Sequence, residues 1–195
     1  MPKLKNTLGA LGFVGFALVC SGANAQQATA PEEIDTVFTF NEICYTKVPN
    51  LDAIRDMALK LAWKPLDNDD LDAFGDKDKL DVLEGWDVQV GEKFYRLGVT
   101  QSALPDSAKE TFPEFKDGLT TSCSMVLDGS DANADIALNM QTLANKEPVS
   151  SDVDEGDLLT TTWAGGNEDI KVFLFNKATK VVDGGVLAVT VITKK

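Results

Sequence analysis

Segments in which apolar and polar residues alternate recur along the chain from residue 82 onward. In the first, 82–90, Trp86 and Val88 share one face and polar residues take the other, which is typical of a half-buried strand. A glycine turn then lets the segment 94–100 return beside it as a hairpin. These segments constrain the fold most, because strands joined by short turns pair in the antiparallel sense.

Further strands are predicted where β-branched and apolar residues lie between turn residues, at 37–48, 119–127, 158–163, 170–175 and 185–193. Two segments instead repeat apolar residues at helical spacing, 51–63 and 131–144. Helices do not separate consecutive strands throughout, as parallel βαβ units require. We therefore predict one α+β domain over residues 35–195, an antiparallel sheet of about five to seven strands with two main amphipathic helices packed on one face.

Residues 1–25 have the pattern of a secretory signal peptide, cleaved after Ala25. Two lysines precede an apolar run of 12 residues, 8–19, and Ala23 and Ala25 offer the small side chains that signal peptidase needs. The run is too short to span a bilayer, which takes about 20 residues. The pattern predicts a periplasmic or secreted protein in which residues 26–34 form a flexible lead-in.

Cys20 leaves two alternatives open at this end of the chain. One is a lipid anchor on Cys20, although Val19 before it fits a lipoprotein signal poorly, and the other is an uncleaved apolar helix. No later stretch is long and apolar enough to span a membrane, so no span is expected in the mature chain.

Acidic residues dominate the charge. Two of the 18 basic residues and none of the 31 acidic ones precede the cleavage point, so the mature chain carries 16 basic and 31 acidic residues, a net charge of −15. Such a surface repels nucleic acid and anionic lipid, and it suits a basic partner or a cation; simple solubility is the alternative. The chain has no histidine, which excludes histidine bases, histidine-ligated zinc and the Ser-His-Asp triad.

Cys44 and Cys123 are the cysteines that remain after cleavage. An even pair in an oxidising compartment predicts a disulfide between them, closing a loop of about 80 residues. Two buried free thiols or a redox pair are the alternatives, but the chain has no C-x-x-C spacing.

Two acidic runs, 67–81 and 152–157, raise the question of calcium, since carboxylate oxygens are its preferred ligands. Neither run has the EF-hand spacing, so no cofactor is expected, and a loose calcium site is the alternative to a solvated loop. The candidate ligands for it are Asp67, Asp69, Asp70 and Asp72.

The chain's three tryptophans could line a ligand pocket or pack in the core. Trp86 and Trp163, both in predicted strands, are the candidate ligand-binding residues. No nucleophile motif, phosphate loop or specific pair of carboxylates is present, so no catalytic residue is assigned.

The sequence thus favours an exported, disulfide-bonded protein that is not an enzyme and has a binding or structural role. Its partner would be another protein or a small molecule. The alternatives are a hydrolase that works through carboxylates, with or without a divalent cation, and an inhibitor of an exported enzyme.

Overall fold

A computed structural model describes residues 35–194; the predicted signal peptide and lead-in lie outside the described residues. Eight strands form one antiparallel sheet in the order β1-β2-β3-β4-β8-β7-β6-β5. Their bounds are Lys64–Pro65 (β1), Val82–Val90 (β2), Lys93–Ala103 (β3), Leu119–Leu127 (β4), Ser150–Glu155 (β5), Leu158–Gly166 (β6), Ile170–Thr179 (β7) and Gly185–Thr193 (β8). The prediction of one antiparallel sheet is confirmed.

The sheet has more strands than the five to seven predicted, and the two lying at its edges were missed. Strand β1 has only two residues, too few to show alternation, and one of them is Pro65. Strand β5 lies in a polar, acidic stretch that was predicted to be a loop. Edge strands need no apolar face, so hydrophobic patterning does not reveal them.

Within the described part of the chain, five α-helices accompany the sheet: Thr36–Phe40 (α1), Leu51–Lys60 (α2), Asn68–Leu71 (α3), Asp106–Thr111 (α4) and Asn133–Ala144 (α5). A π-helical turn, Asn41–Tyr45, continues α1. The strand predicted over 37–48 is therefore wrong. Asp35 caps α1 by accepting hydrogen bonds from the N–H groups of Val37 and Phe38, and the buried residues recur at helical spacing.

The main hydrophobic core lies on one face of the sheet, under α2 and α5, as predicted. Helix α2 contributes Leu51, Ile54 and Ala58, and α5 contributes Ile136 and Met140. The strands contribute alternate residues: Val88, Tyr95, Leu97, Val99, Cys123, Met125, Leu174, Leu187, Val189 and Val191.

The predicted cysteine pair is confirmed as a pair at disulfide distance. The sulfur atoms of Cys44 and Cys123 are 2.07 Å apart, and 79 positions separate the two residues. Both side chains are fully buried. The bond joins the π-helical turn to β4, a central strand, so it fastens the N-terminal helical segment onto the core.

Shorter segments cover parts of the opposite face. The chain after β1 packs over two glycines of β2 and β3; a Cβ on Gly98 would lie 2.1 Å from the ring of Phe74, and one on Gly85 2.9 Å from Leu71. Only glycine permits such an approach. A second small core forms beside α4 from Leu104, Phe115 and Ile192.

No helix within residues 35–194 is long and apolar enough to cross a membrane.

Candidate functional site

Two neighbouring grooves flank Trp63 at the β1–β2 edge of the sheet. The helix groove, of about 520 Å³, lies between the end of α2 and the core-facing side of β1 and β2. The edge groove, of about 470 Å³, lies between the chain that leaves α2 and the rim of β2. Residues Ala62 and Trp63 line both grooves, so the two form one surface divided by the indole.

The way in which α2 ends creates this surface. Ala62 has a left-handed φ of 54°, and the N–H of Trp63 returns to the carbonyl of Ala58 at 2.9 Å. The chain then crosses to β2 as β1, where Lys64 pairs with Asp87. The reversal places Trp63 at the boundary between helix and sheet.

Apolar side chains stay exposed around the indole. Leu59 and Leu61 project from the end of α2, and Leu61 is 56% exposed. On the other wall of the edge groove, Phe94 of β3 is 58% exposed. Scattered apolar residues are normal on a surface, but a cluster that lines a concavity is typical of a binding site.

The rim of β2 is unpaired for part of its length. The N–H of Leu66 donates to the carbonyl of Gly85 at 3.0 Å, and Lys64 pairs with Asp87, so alternate residues of β2 present their backbone to β1. The same register would place Gln89 opposite Ala62, but Ala62 has already turned away, and its N–H bonds to Leu59. Within the described chain, Gln89 has a strand partner only in β3.

Charged groups at the grooves are paired. Arg55 donates to both carboxylate oxygens of Glu84, at 2.9 and 2.8 Å, and a third bond reaches Asp52. These bonds raise the pKa of Arg55, so the guanidinium stays charged. In the edge groove, Lys64 lies 3.6 Å from Asp87. Each groove is therefore lined by one carboxylate, and each of those has a cationic neighbour.

The structure does not bring the two predicted tryptophans together. Trp86 lines the helix groove and packs against the core. Trp163 is buried in β6, which four strands separate from β2, and its indole N–H donates to Gln141 at 3.1 Å beside a cavity of about 120 Å³. Trp86 and Trp163 therefore cannot line one pocket.

The predicted calcium ligands lie on and beside α3. Asp67 caps that helix by accepting from the N–H of Asp70, Asp70 pairs with Arg96 at 2.8 Å, and Asp69 and Asp72 are exposed. Among residues 35–194, no three His, Cys, Asp or Glu side chains gather closely enough to hold a metal ion.

A buried polar cluster fastens the start of α1 to the sheet. The hydroxyl of Thr36 lies 2.8 Å from that of Tyr95 and donates to Asp131, which pairs with Lys93 at 2.5 Å. Burial raises the pKa of Tyr95, so the phenol stays protonated. The cluster joins three distant segments of chain, which explains it as a structural anchor.

The turn between β7 and β8 presents an apolar tip on a fixed backbone. Val181 is 92% exposed. Below it, the amide of Asn133 donates to the carbonyls of Thr179 and Val182, at 3.1 and 3.3 Å, and accepts from the N–H of Gly184. These three hydrogen bonds fasten the turn to the start of α5.

Comparisons of the chain with protein families, with curated proteins and with solved structures found no match. The site is therefore defined by geometry. Sequence reasoning considered Trp63 only as one of three tryptophans, since an aromatic residue at the end of an amphipathic helix is more often part of the core. Two leucines at the end of the predicted helix, Leu59 and Leu61, and the proline at 65 were the available signals.

Proposed function

We propose that the protein is an exported binding protein without enzymatic activity, which holds an apolar, basic polypeptide segment of a protein partner at the two grooves around Trp63. The observation that carries the proposal is the joining of both grooves by one indole, with exposed Leu59, Leu61 and Phe94 at their walls. Export rests on the signal pattern, and the buried cysteine pair is compatible with it.

The shape of the site supports a polypeptide over a small molecule. Small-molecule sites bury most of the ligand's surface, whereas both grooves here are open along the sheet edge. An extended chain can lie across such an edge and place side chains in both grooves. The protein's net charge of −13 favours a basic segment, because long-range attraction accelerates encounter and like charges are rejected.

The geometry gives less support to a carboxylate-based hydrolase. Such an enzyme needs two carboxyl groups that converge on the substrate. Each groove is lined by one, Glu84 or Asp87, and a cation neighbours each of them.

The test uses two labelled synthetic peptides of equal length, one alternating leucine with lysine and one alternating leucine with glutamate. Fluorescence anisotropy should show that the lysine peptide binds. The glutamate peptide should bind at least about tenfold more weakly. Leu61→Ala and Phe94→Ala should each lower the affinity for the lysine peptide by about tenfold.

Two exposed residues elsewhere supply matched controls. Leu138 is 65% exposed on α5 and Phe38 is 63% exposed on α1, and neither lines either groove. Leu138→Ala and Phe38→Ala should bind like the unmodified protein. Equal affinity in all four variants would place binding elsewhere, and no binding of either peptide would sink the proposal.

A second function, inhibition of an exported enzyme, is favoured by the supported loop at Val181. A rigid, convex, apolar loop can enter a cleft with little loss of conformational entropy. Assayed against a panel of secreted peptidases and glycosidases, the protein should inhibit one of them, and Val181→Ser should abolish the effect while the exposed control Val149→Ser retains it. Full activity of every enzyme would reject this candidate.

A further inference from the structure

We infer that the bound segment is held as an added β-strand on the rim of β2, with its backbone paired to that of Gln89. The inference rests on the proposed function and concerns how the same site recognises its partner. It assigns a role to main-chain hydrogen bonds, which the apolar walls of the grooves do not require.

The chain itself already shows that this rim accepts a strand. Strand β1 pairs with β2 at Asp87 and Trp86, and the bond from Leu66 to Gly85 continues the ladder. The pairing stops because Ala62 leaves the register, not because β2 ends, since β2 continues to Val90. An incoming strand can thus extend a ladder that is already present.

The edge groove runs along this unpaired length of β2. One wall is Leu61 with Trp63, the other is Phe94, and Val88 and Gln89 lie between them. Because neighbouring residues of a strand point to opposite faces, an added strand would send alternate side chains toward the two walls. Apolar residues at one alternate set of positions would meet the indole, and lysine or arginine residues at the other set would lay their aliphatic stems over the ring of Phe94.

The partner's chemistry follows from these walls and from the protein's charge. The segment is extended, free of proline at the paired positions, apolar at the alternate positions that meet the indole, and lysine- or arginine-bearing at the positions between them. Backbone pairing provides affinity that depends little on sequence, while the two walls select side chains. The unpaired rim is short, so the contact comprises a few residues rather than a full strand.

N-methylation of the lysine–leucine peptide tests the pairing without altering the protein, so folding of a variant is not at issue. A methyl group removes one backbone donor and blocks close approach of the strands. Single methyl groups are placed along the peptide, and affinity is measured by anisotropy as before. Methylation at one set of alternating positions near the centre should weaken binding by about tenfold, whereas the intervening positions should tolerate it.

The outcomes separate this inference from the function it rests on. An alternating pattern of loss supports strand addition. The unmethylated peptide could bind tightly while the methylated peptides show no alternation, because either all of them bind or all of them fail. That result overturns strand addition and leaves the groove as a binding site. Failure of the unmethylated peptide to bind overturns both.

Discussion

The two edges of the sheet are built differently. At the β1–β2 edge, aromatic and aliphatic side chains line open grooves beside an unpaired length of strand. At the β5 edge, every residue of Ser151–Glu155 is exposed and three of the five are acidic. The register of β5 on β6 also shifts between Ser150 and Val153, where Asp152 has a φ of 51°.

The difference shows which edge is protected. Charged side chains and a bulge prevent one edge from pairing with another strand, and β5 has both. The β1–β2 edge has no bulge in its register, its two charged side chains at the edge groove, Lys64 and Asp87, pair with each other, and Leu61 and Phe94 are exposed beside them. We call the β5 edge the guarded edge and the β1–β2 edge the unguarded edge, and this difference supports the proposal that a strand is added on the unguarded side.

Removal of the disulfide should have the largest effect on stability. It tests whether the two edges of the sheet belong to one cooperative unit. The bond anchors β4, with three strands on one side and four on the other. Cys44→Ala/Cys123→Ala should lower the free energy of unfolding by about 4.5 kcal/mol, the loop-closure value for 79 residues. Urea unfolding of the double variant, followed by circular dichroism, measures the change. A loss below about 1 kcal/mol would show that the bond contributes little.

The next effect concerns only the side of the sheet near the unguarded edge. Gly98→Ala should cost about 1–3 kcal/mol, because the new methyl group collides with the ring of Phe74 and displaces the acidic segment from β2 and β3. Thermal unfolding of the single variants and of Gly98→Ala/Phe74→Ala measures the coupling. Removal of the ring should recover part of the loss, and strictly additive losses would contradict the proposed collision.

Removal of the negative charges on β5 should make the guarded edge resemble the unguarded edge in its ability to pair with another strand. Asp152→Asn/Asp154→Asn/Glu155→Gln should promote self-association through β5, detectable by sedimentation velocity as concentration rises, at about 1 kcal/mol or less per charge. The control, Asp56→Asn/Asp69→Asn/Asp72→Asn, changes the net charge equally at other exposed positions. Equal association of both variants would assign the effect to net charge.

Low pH should also weaken the protection of the β5 edge, by a smaller amount, because it removes negative charge from β5. A hydrogen bond from Lys180 lowers the pKa of Asp154, and bonds from Thr160 and Lys177 lower that of Glu155. Because the pKa values of both carboxylates are lowered in the folded protein, the two groups are fully charged at any pH well above their ordinary pKa values. They lose that charge only when the pH falls below those ordinary values. Light scattering should therefore show association through β5 only below about pH 4. Onset between pH 5 and 6 would point to other groups.

Patterns with a single clear period were predicted well. Strand β4 has the bounds that alternation indicates, the 82–90 strand and its hairpin partner pair as expected, and the cysteines meet. In these segments, local alternation and core packing favour the same structure. The strand prediction for 37–48 was wrong. The β-branched and aromatic residues of this segment favour a strand locally. Asp35 and the spacing of Val37, Phe40 and Cys44 instead favour a helix that packs against the core.

The candidate site was beyond prediction for a different reason. It depends on where α2 stops, on a left-handed residue at Ala62 and on a two-residue strand, and none of these has a periodic signature. Trp86 was predicted as a ligand-binding residue and does line the helix groove, but its predicted companion Trp163 lies five strands away. Sequence spacing fixes which face a residue takes, not which distant residues meet there.

Hydrogen exchange with and without the lysine–leucine peptide tests the central claim most directly. Strand addition at the unguarded edge predicts that the peptide slows exchange of the backbone amide of Gln89, on the unpaired rim of β2, and leaves the amides of β5 unchanged. Slowed exchange at β5, or no change at either edge at saturating peptide, would contradict the account.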